Sequence, residues 1–284
     1  MLSLIYILIS MLSIQFGASM AKQLFPVAGP AGTTMLRVCL AAVILLAIWR
    51  PWKTKYSLKQ LKVFAGYGFC LGSMNILFYL SLARIPLGIA VALEFTGPLV
   101  LSLITSKKPV DIFWALLAAA GIYLVLPVSD TSTASLDLIG ILLALAAGVF
   151  WALYIIFGQN SGKDTHSGHA TAIGMTFAAL VTIPFGIYSN SVEFFQLSIL
   201  PLGLAIAVLS SALPYSLEMM AMKNISTTTF GVLMSLEPAI AALMGYLFLK
   251  ENLTAMQVTA IVCIIIASGG SAASLKKKST LAPN

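Results

Sequence analysis

Ten apolar runs, each about as long as a membrane is thick, decide the solvent of this chain before any single residue is considered. They fall at about 2–20, 31–49, 62–82, 87–105, 112–128, 138–158, 170–188, 198–222, 227–249 and 255–274. A hydrocarbon core of ~30 Å takes about 20 apolar residues per helix, so ten spans use roughly 200 residues and leave short loops. Only 9% of the 284 residues are charged, against about 25% in a soluble domain. No water-facing surface can be assembled from so few charges, so the exterior faces lipid. The expected fold is an all-α membrane protein of ten transmembrane helices. Gly and Pro inside the runs do not exclude helices, because neighbouring spans can satisfy the freed backbone groups. Ser19-Met20-Ala21 resembles a signal-peptide cleavage site. The run from Leu2 has no basic n-region and exceeds a usual h-region, so it is read as the first span.

The net charge of +7 is placed for topology rather than for nucleic acid. With an even number of crossings, one side of the membrane receives twelve of the sixteen Lys and Arg residues. These are Arg50, Lys53, Lys55, Lys59, Lys62, Lys107, Lys108, Lys163, Lys223, Lys276, Lys277 and Lys278. The other side receives Lys22, Arg84 and Lys250, and Arg37 lies within a span. The positive-inside rule puts the richer side, and both termini, in the cytoplasm. Cys39, Cys70 and Cys263 lie inside apolar runs without metal or disulfide spacing, and read as small buried hydrophobes.

The second half repeats the first. A shift of 140 places Ile85 on Ile225, Leu93 on Leu233, Pro98 on Pro238 and Asp111 on Glu251. Five crossings per half is an odd number, so the copies insert with opposite orientation. The expected organisation is two inverted five-helix repeats, 1–130 and 136–275, followed by a cytoplasmic basic tail, 276–284. Such repeats place a binding site near the midplane, between the halves.

Ionisable groups at membrane depth cost ~2.5–3.5 kcal/mol each on insertion scales, and they mark function. Arg37, Glu94, Glu218 and Glu237 are the four here. Arg37 falls about two turns from the outer face and is expected to form a structural ion pair with a glutamate, tying helices together. Glu94 and Glu237 fall near mid-span. Glu218 lies little more than one turn from the inner face, within reach of headgroups or water. Three carboxylates against one cation leave at least two without a fixed partner, an arrangement that suits proton coupling, by Glu94 first and Glu237 second. Polar and aromatic groups surround them at helical spacing: Asn75 with Tyr79, Tyr215 with Glu218 and Met222, Gln15 with Ser19, and Trp151 with Tyr154. Gln15, Asn75, Tyr79, Glu94, Trp151, Tyr154, Tyr215, Glu218 and Glu237 are the candidate substrate contacts.

A mid-helix proline leaves the carbonyl four residues earlier without its donor. Pro98 frees that of Glu94, Pro214 that of Ser210 and Pro238 that of Met234. These three prolines are candidate hinges, and their free carbonyls beside carboxylates can hold an ammonium group. Small residues at four-residue spacing, Ala144, Gly148 and Ala152, and Gly68 with Gly72, allow close helix contact. They join either the two halves or two protomers of a homodimer.

Several blocks carry a resemblance that runs through almost the whole chain. They are Ser13 to Ser19 (SIQFGAS), Pro86 to Pro98 (PLGIAVALEFTGP), Trp151 to Tyr154 (WALY), Ser211 to Glu218 (SALPYSLE) and Thr229 to Ala239 (TFGVLMSLEPA). With these the sequence resembles the EamA family of the drug/metabolite transporter superfamily. The resemblance implies ten spans in the bacterial inner membrane, with small zwitterionic amino acids such as threonine and homoserine moved outward. It also implies a central cavity lined mainly by the third, fourth, eighth and ninth helices.

The leading expectation is a secondary exporter driven by proton antiport, with no cofactor. A broader exporter of metabolites or amino-acid analogues is the alternative within the same class. An intramembrane enzyme is a different class. His166 and His169 form an HxxH beside Lys163 and Asp164, but no further His completes a metal site, and a solvated loop is the plainer reading. No GxxxxGK[ST] motif is present to bind ATP. A passive channel would show a ring of like polar groups, and none is evident. The charge asymmetry makes a first prediction: a reporter fused after Asn284 stays cytoplasmic. Periplasmic activity of that fusion would rule out an even number of spans.

Overall fold

The computed structural model describes residues 2–105, 110–125, 137–163, 165–189, 199–225, 230 and 233–279. Side chains are described for all of these except 102, 103, 105, 111, 125, 162, 163 and 271–279. Lys107, Lys108 and Asp164 therefore lie outside the described residues, as do the side chains of Asp111, Lys163, Lys276, Lys277 and Lys278.

Every described element is helical. The order is α1 (Leu2–Lys22), α2 (Phe25–Trp49), α3 (Leu58–Leu82), α4 (Leu87–Glu94), α5 (Thr96–Thr105), α6 (Val110–Val125), α7 (Leu138–Lys163) and α8 (Ser167–Tyr188). Then come α9 (Leu200–Ala207), a π turn (Val208–Ala212), α10 (Leu213–Asn224), α11 (Glu237–Leu249) and α12 (Ala255–Ser279). α4 and α5 are two pieces of one span, and α9, the π turn and α10 are three pieces of another. Six helices are long and apolar enough to cross a membrane, and shorter apolar helices occupy Leu87–Leu101, Ile112–Leu124, Glu237–Leu249 and Ala255–Gly270. The apolar exterior agrees: Leu4, Leu8 and Leu12 on α1, Phe69 on α3 and Leu142 and Val149 on α7 are all exposed. In water such a surface would drive association. In lipid it is the required one.

Most helix ends fall within a few residues of the apolar runs, and two bear comment. α2 is counted from Phe25, but Gly29 is not helical (φ 64°, ψ 166°), so the continuous helix runs from Pro30, one residue before the apolar run. Gly29 takes φ 64°, a conformation open to glycine, and Thr33 and Thr34 return their hydroxyls to the carbonyls of Gly29 and Pro30, both at 2.8 Å. Arg37 lies seven residues past Pro30, about 10 Å along the continuous helix at the rise of 1.5 Å per residue, two turns in. At the other end of the chain, α12 continues to Ser279, so helix runs into the expected tail.

Packing follows a two-fold pattern. α3 packs on α7 as α1 packs on α10, and α3 on α8 as α2 on α9. The pairs α2 with α8, α4 with α11 and α6 with α12 map onto themselves when the halves are exchanged. The helix breaks follow the same rule: one lies at Phe95, the other at Ser235 and Leu236. Asn75 and Tyr215, joined by a hydrogen bond of 3.0 Å, stand 140 residues apart, the shift that aligns the repeats. At the α7 start, Asp137 accepts from the amides of Ile139 and Gly140 and pairs with Arg84 at 2.7 Å. The Arg84 hydrogen bond, helped by those amides, holds the Asp137 carboxyl below its ordinary range.

The small-residue pairs are used inside the protomer. Gly68 and Gly72 meet α8 at Gly174 and Ala178, and Gly148 meets the break between α4 and α5. A Cβ on Gly148 would overlap the carbonyl of Glu94, and one on Gly97 the carbonyl of Gly148. Gly148→Ala should therefore lower stability by ~1–3 kcal/mol, the usual cost of overpacking, seen as a lower melting temperature in detergent. Gly158→Ala should stay near neutral, since its Cβ first meets the end of the flexible Met222 side chain at 3.2 Å. Equal melting temperatures would show that backbone approach does not fix α7 against α4 and α5.

Candidate functional site

Each of the three expected hinge prolines sits in the first turn of a helical segment, where the missing N–H costs nothing. Pro98 follows the Phe95 break, Pro214 follows the π turn, and Pro238 follows the turn at Ser235 and Leu236. The breaks bring Glu94 to the last position of α4 and Glu237 to the first of α11. The backbone freed by the prolines is taken up by the protein itself. The Ser210 carbonyl accepts from Arg37 Nη1 at 2.9 Å. The Glu94 carbonyl packs against Gly148. Within the same stretch the carbonyls of Leu209 and Pro214 accept from Ser13 at 2.6 Å and Ser10 at 3.3 Å. Arg37 thus takes the Ser210 carbonyl that was expected to receive a ligand ammonium.

Arg37 is 2% exposed and makes no ion pair within 4 Å among the described residues. The expected ion pair is replaced by neutral acceptors. Nη1 bonds the Ser210 carbonyl and the hydroxyls of Ser210 and Ser211, at 3.3 and 2.6 Å, while Nη2 bonds Asn75 Oδ1. The guanidinium also lies 4.2 Å over the Tyr79 ring, a cation–π contact. A rigid fork with five donors suits a cluster of carbonyl and hydroxyl oxygens better than a single carboxylate. Asn75 Oδ1 also receives Tyr215, and Asn75 Nδ2 returns to the Leu71 carbonyl at 2.7 Å. Asn75 thus has its polar atoms committed to the protein, and its role is to hold Arg37 and Tyr215.

The three carboxylates differ sharply. Glu218 is 2% exposed, buried by the protein rather than left open to water, with Ser10 donating to one oxygen at 2.8 Å and Tyr154 to the other at 3.0 Å. Glu237 receives Gln15 on Oε1 at 2.8 Å, and its Oε2 has no partner. Glu94, 7% exposed, has no side-chain hydrogen bond among the described residues.

One cavity of about 40 Å³ gathers Ile14, Gln15, Ala18, Arg37, Met74, Asn75, Phe78, Tyr79, Glu94, Trp151, Tyr215, Glu218 and Glu237. Eight of the nine candidate contacts line it, and Tyr154 reaches it through Glu218. The first, second and sixth spans contribute to the lining along with the third, fourth, eighth and ninth. Ser19 turns back to the Phe16 carbonyl at 2.7 Å and takes no part. Sequence reasoning missed Ser10 and Ser211, and of Ser210 it saw only the carbonyl. Ser10, Ser13 and Gly17 do share a face of α1, and the Ser210-Ser211 pair precedes Pro214 by one turn, so both signals were present. The histidines are structural. His166 Nδ1 accepts from the Gly168 amide at the start of α8, and His169 bonds Tyr56 at 2.8 Å.

Comparison with known proteins adds a second line of argument. Residues 138–271 match the model of the EamA-like transporter family. The chain is 47% identical over 280 residues to the threonine/homoserine exporter RhtA of Escherichia coli K12, covering 99% of this chain and 94% of that one. It is 48% identical over 277 residues to RhtA of Salmonella typhimurium LT2, covering 98% and 93%. A solved crystal structure shares the fold with a TM-score of 0.60 at 15% identity, covering 98% of this chain and 99% of that one.

The Arg37 network makes a graded prediction. Tyr215→Phe removes one neutral donor, worth ~1 kcal/mol, whereas Asn75→Ala strands both Arg37 and Tyr215 and should cost ~2–4 kcal/mol. Melting in detergent should rank Asn75→Ala below Tyr215→Phe. The reverse order would show that Asn75 does not anchor the guanidinium.

Proposed function

This chain belongs to the EamA-like transporter family, and on that premise we propose that it exports small zwitterionic amino acids, threonine and homoserine among them, across the bacterial inner membrane. The observation that carries this reading is the set of polar atoms left open in the cavity. Gln15 Oε1 and Glu237 Oε2 are buried acceptors without a donor, and Glu94 adds a carboxylate held by no hydrogen bond among the described residues. Tyr79 Oη and Arg37 Nε are buried donors without an acceptor. A buried polar group without a partner costs ~1–3 kcal/mol. An amino acid supplies both missing halves, an ammonium for the acceptors and a carboxylate for the donors. Ile14, Met74, Phe78 and Trp151 give the same cavity apolar walls. Threonine and homoserine enter through the names of the relatives.

Export against a gradient needs an energy source, and no ATP-binding motif occurs in the sequence. One charge crossing ~150 mV releases roughly 3.5 kcal/mol, enough for a gradient of a few hundredfold. We place proton exchange on Glu94, with Glu237 as second choice. Both carboxylates share the cavity with the substrate site, so proton and ammonium compete for the same oxygens. Such competition is the simplest form of antiport. The three proline-led segments supply the hinges on which the halves exchange access.

The test is efflux of labelled threonine from preloaded proteoliposomes, with and without an imposed pH gradient. Glu94→Gln keeps size and polarity but cannot titrate. It should still exchange labelled for unlabelled threonine, yet fail to concentrate threonine when the pH gradient is imposed. Full gradient-driven transport by Glu94→Gln and by Glu237→Gln, each alone, would show that neither carboxylate couples.

A further inference from the structure

We propose that Glu251 is a positioning residue for Glu94, acting from the opposite end of α4; the proposal rests on reading the cavity as the amino-acid site. α4 is eight residues long, about 12 Å at the helical rise. Its first amides have no partner within the helix, and Pro86 before it offers no side-chain cap. The Leu87 amide, on a fully buried residue, instead donates to Glu251 Oε2 at 2.8 Å. The other oxygen of the same carboxylate receives Lys22 Nζ at 2.5 Å. Lys22 ends α1 and Glu251 follows α11. A single carboxylate outside the spans therefore joins three of them, and it joins the two halves.

The local backbone is shaped to present that carboxylate. Lys250 takes a left-handed φ of 56°, and the Glu251 amide returns to the Gly245 carbonyl at 3.1 Å. A Cβ on Gly245 would come within 2.6 Å of Glu251 Oε2, so a glycine keeps its space open. The turn leading into α4 is tied to the second half twice more, by Ser81 to the Gly140 carbonyl at 2.8 Å and by Arg84 to Asp137 at 2.7 Å.

α4 transmits what happens at this end. All eight of its residues are buried, and a Cβ on Gly88 would come within 2.7 Å of Ala242 on α11, so no slack separates the helices there. At the far end the Glu94 carboxylate has no side-chain hydrogen bond among the described residues. Its place in the cavity is set by the helix that carries it, and the entry of that helix is set by Glu251. Glu251 touches no cavity atom, so it works through Glu94.

The test is a mutant cycle on the purified full chain, read as threonine affinity from the fluorescence of tryptophan, since Trp151 lines the cavity. Glu251→Ala should weaken threonine binding about tenfold, the scale of coupling through an intervening element. Glu251→Gln keeps an oxygen for the Leu87 amide and should stay within about threefold of the unaltered chain. In a Glu94→Ala background, Glu251→Ala should add less than about a twofold change, because the side chain it positions is already gone. General damage would instead add the same tenfold loss in both backgrounds, and that result overturns the proposal. So does an unchanged affinity in Glu251→Ala. Should Glu251→Ala fail to insert, Glu251→Asp, which keeps the charge but shortens the reach, carries the same cycle. Binding that weakens in Glu94→Ala but ignores position 251 defeats the positioning role alone. No threonine binding by the unaltered chain defeats the exporter reading and the positioning role with it.

Discussion

In hydrocarbon no water is available to an unpaired peptide group, and the centre of this protein is organised by that constraint. Three of its spans are broken near the middle, and each break releases backbone carbonyls. Arg37 meets the one ahead of Pro214, with the Ser210 and Ser211 hydroxyls as further acceptors. Gly148 packs against the one ahead of Pro98. The broken helices turn carboxylates into the cavity at Glu94 and Glu237. The side chains of the cavity are then the groups with open valences.

The scaffold is nearly symmetric and its chemistry is not. The breaks at Phe95 and at Ser235-Leu236 occupy equivalent places, and Asn75 with Tyr215 joins equivalent positions across the centre. Yet Glu94 precedes its break while Glu237 follows the other, so the two carboxylates approach the cavity from opposite sides of a turn. The position equivalent to Arg37 is Phe177, and that equivalent to Glu218 is Phe78. One half thus supplies the guanidinium and the other the second and third carboxylates. A duplicated fold gives two ways to face the membrane. Divergence at a few positions gives one asymmetric set of charged groups.

Much of this was legible in the chain. Apolar length gave the spans, because a bilayer demands about 20 residues per helix whatever the neighbours are. The cost of charge in lipid singled out Arg37, Glu94, Glu218 and Glu237, and helical spacing added Gln15, Asn75, Tyr79 and Tyr215. All of these line the cavity. Partner assignments were not legible. An arginine among three glutamates suggests an ion pair by charge alone, but the fork lies against serine oxygens on the π turn, 173 and 174 residues further along the chain. Glu218 looked shallow by position and is buried by Ser10 and Tyr154.

The sequence by itself determined the solvent, the number of spans, the repeat and the residues with polar work at membrane depth, because each follows from local composition and period. Only the tertiary structure decided which of those polar groups spend their hydrogen bonds on one another. Asn75 and Glu218 proved committed to the protein, while Glu94, one oxygen of Glu237 and one of Gln15 stayed open. That division depends on distances between helices far apart in the chain, set by glycine contacts and backbone breaks. No spacing along one helix encodes it.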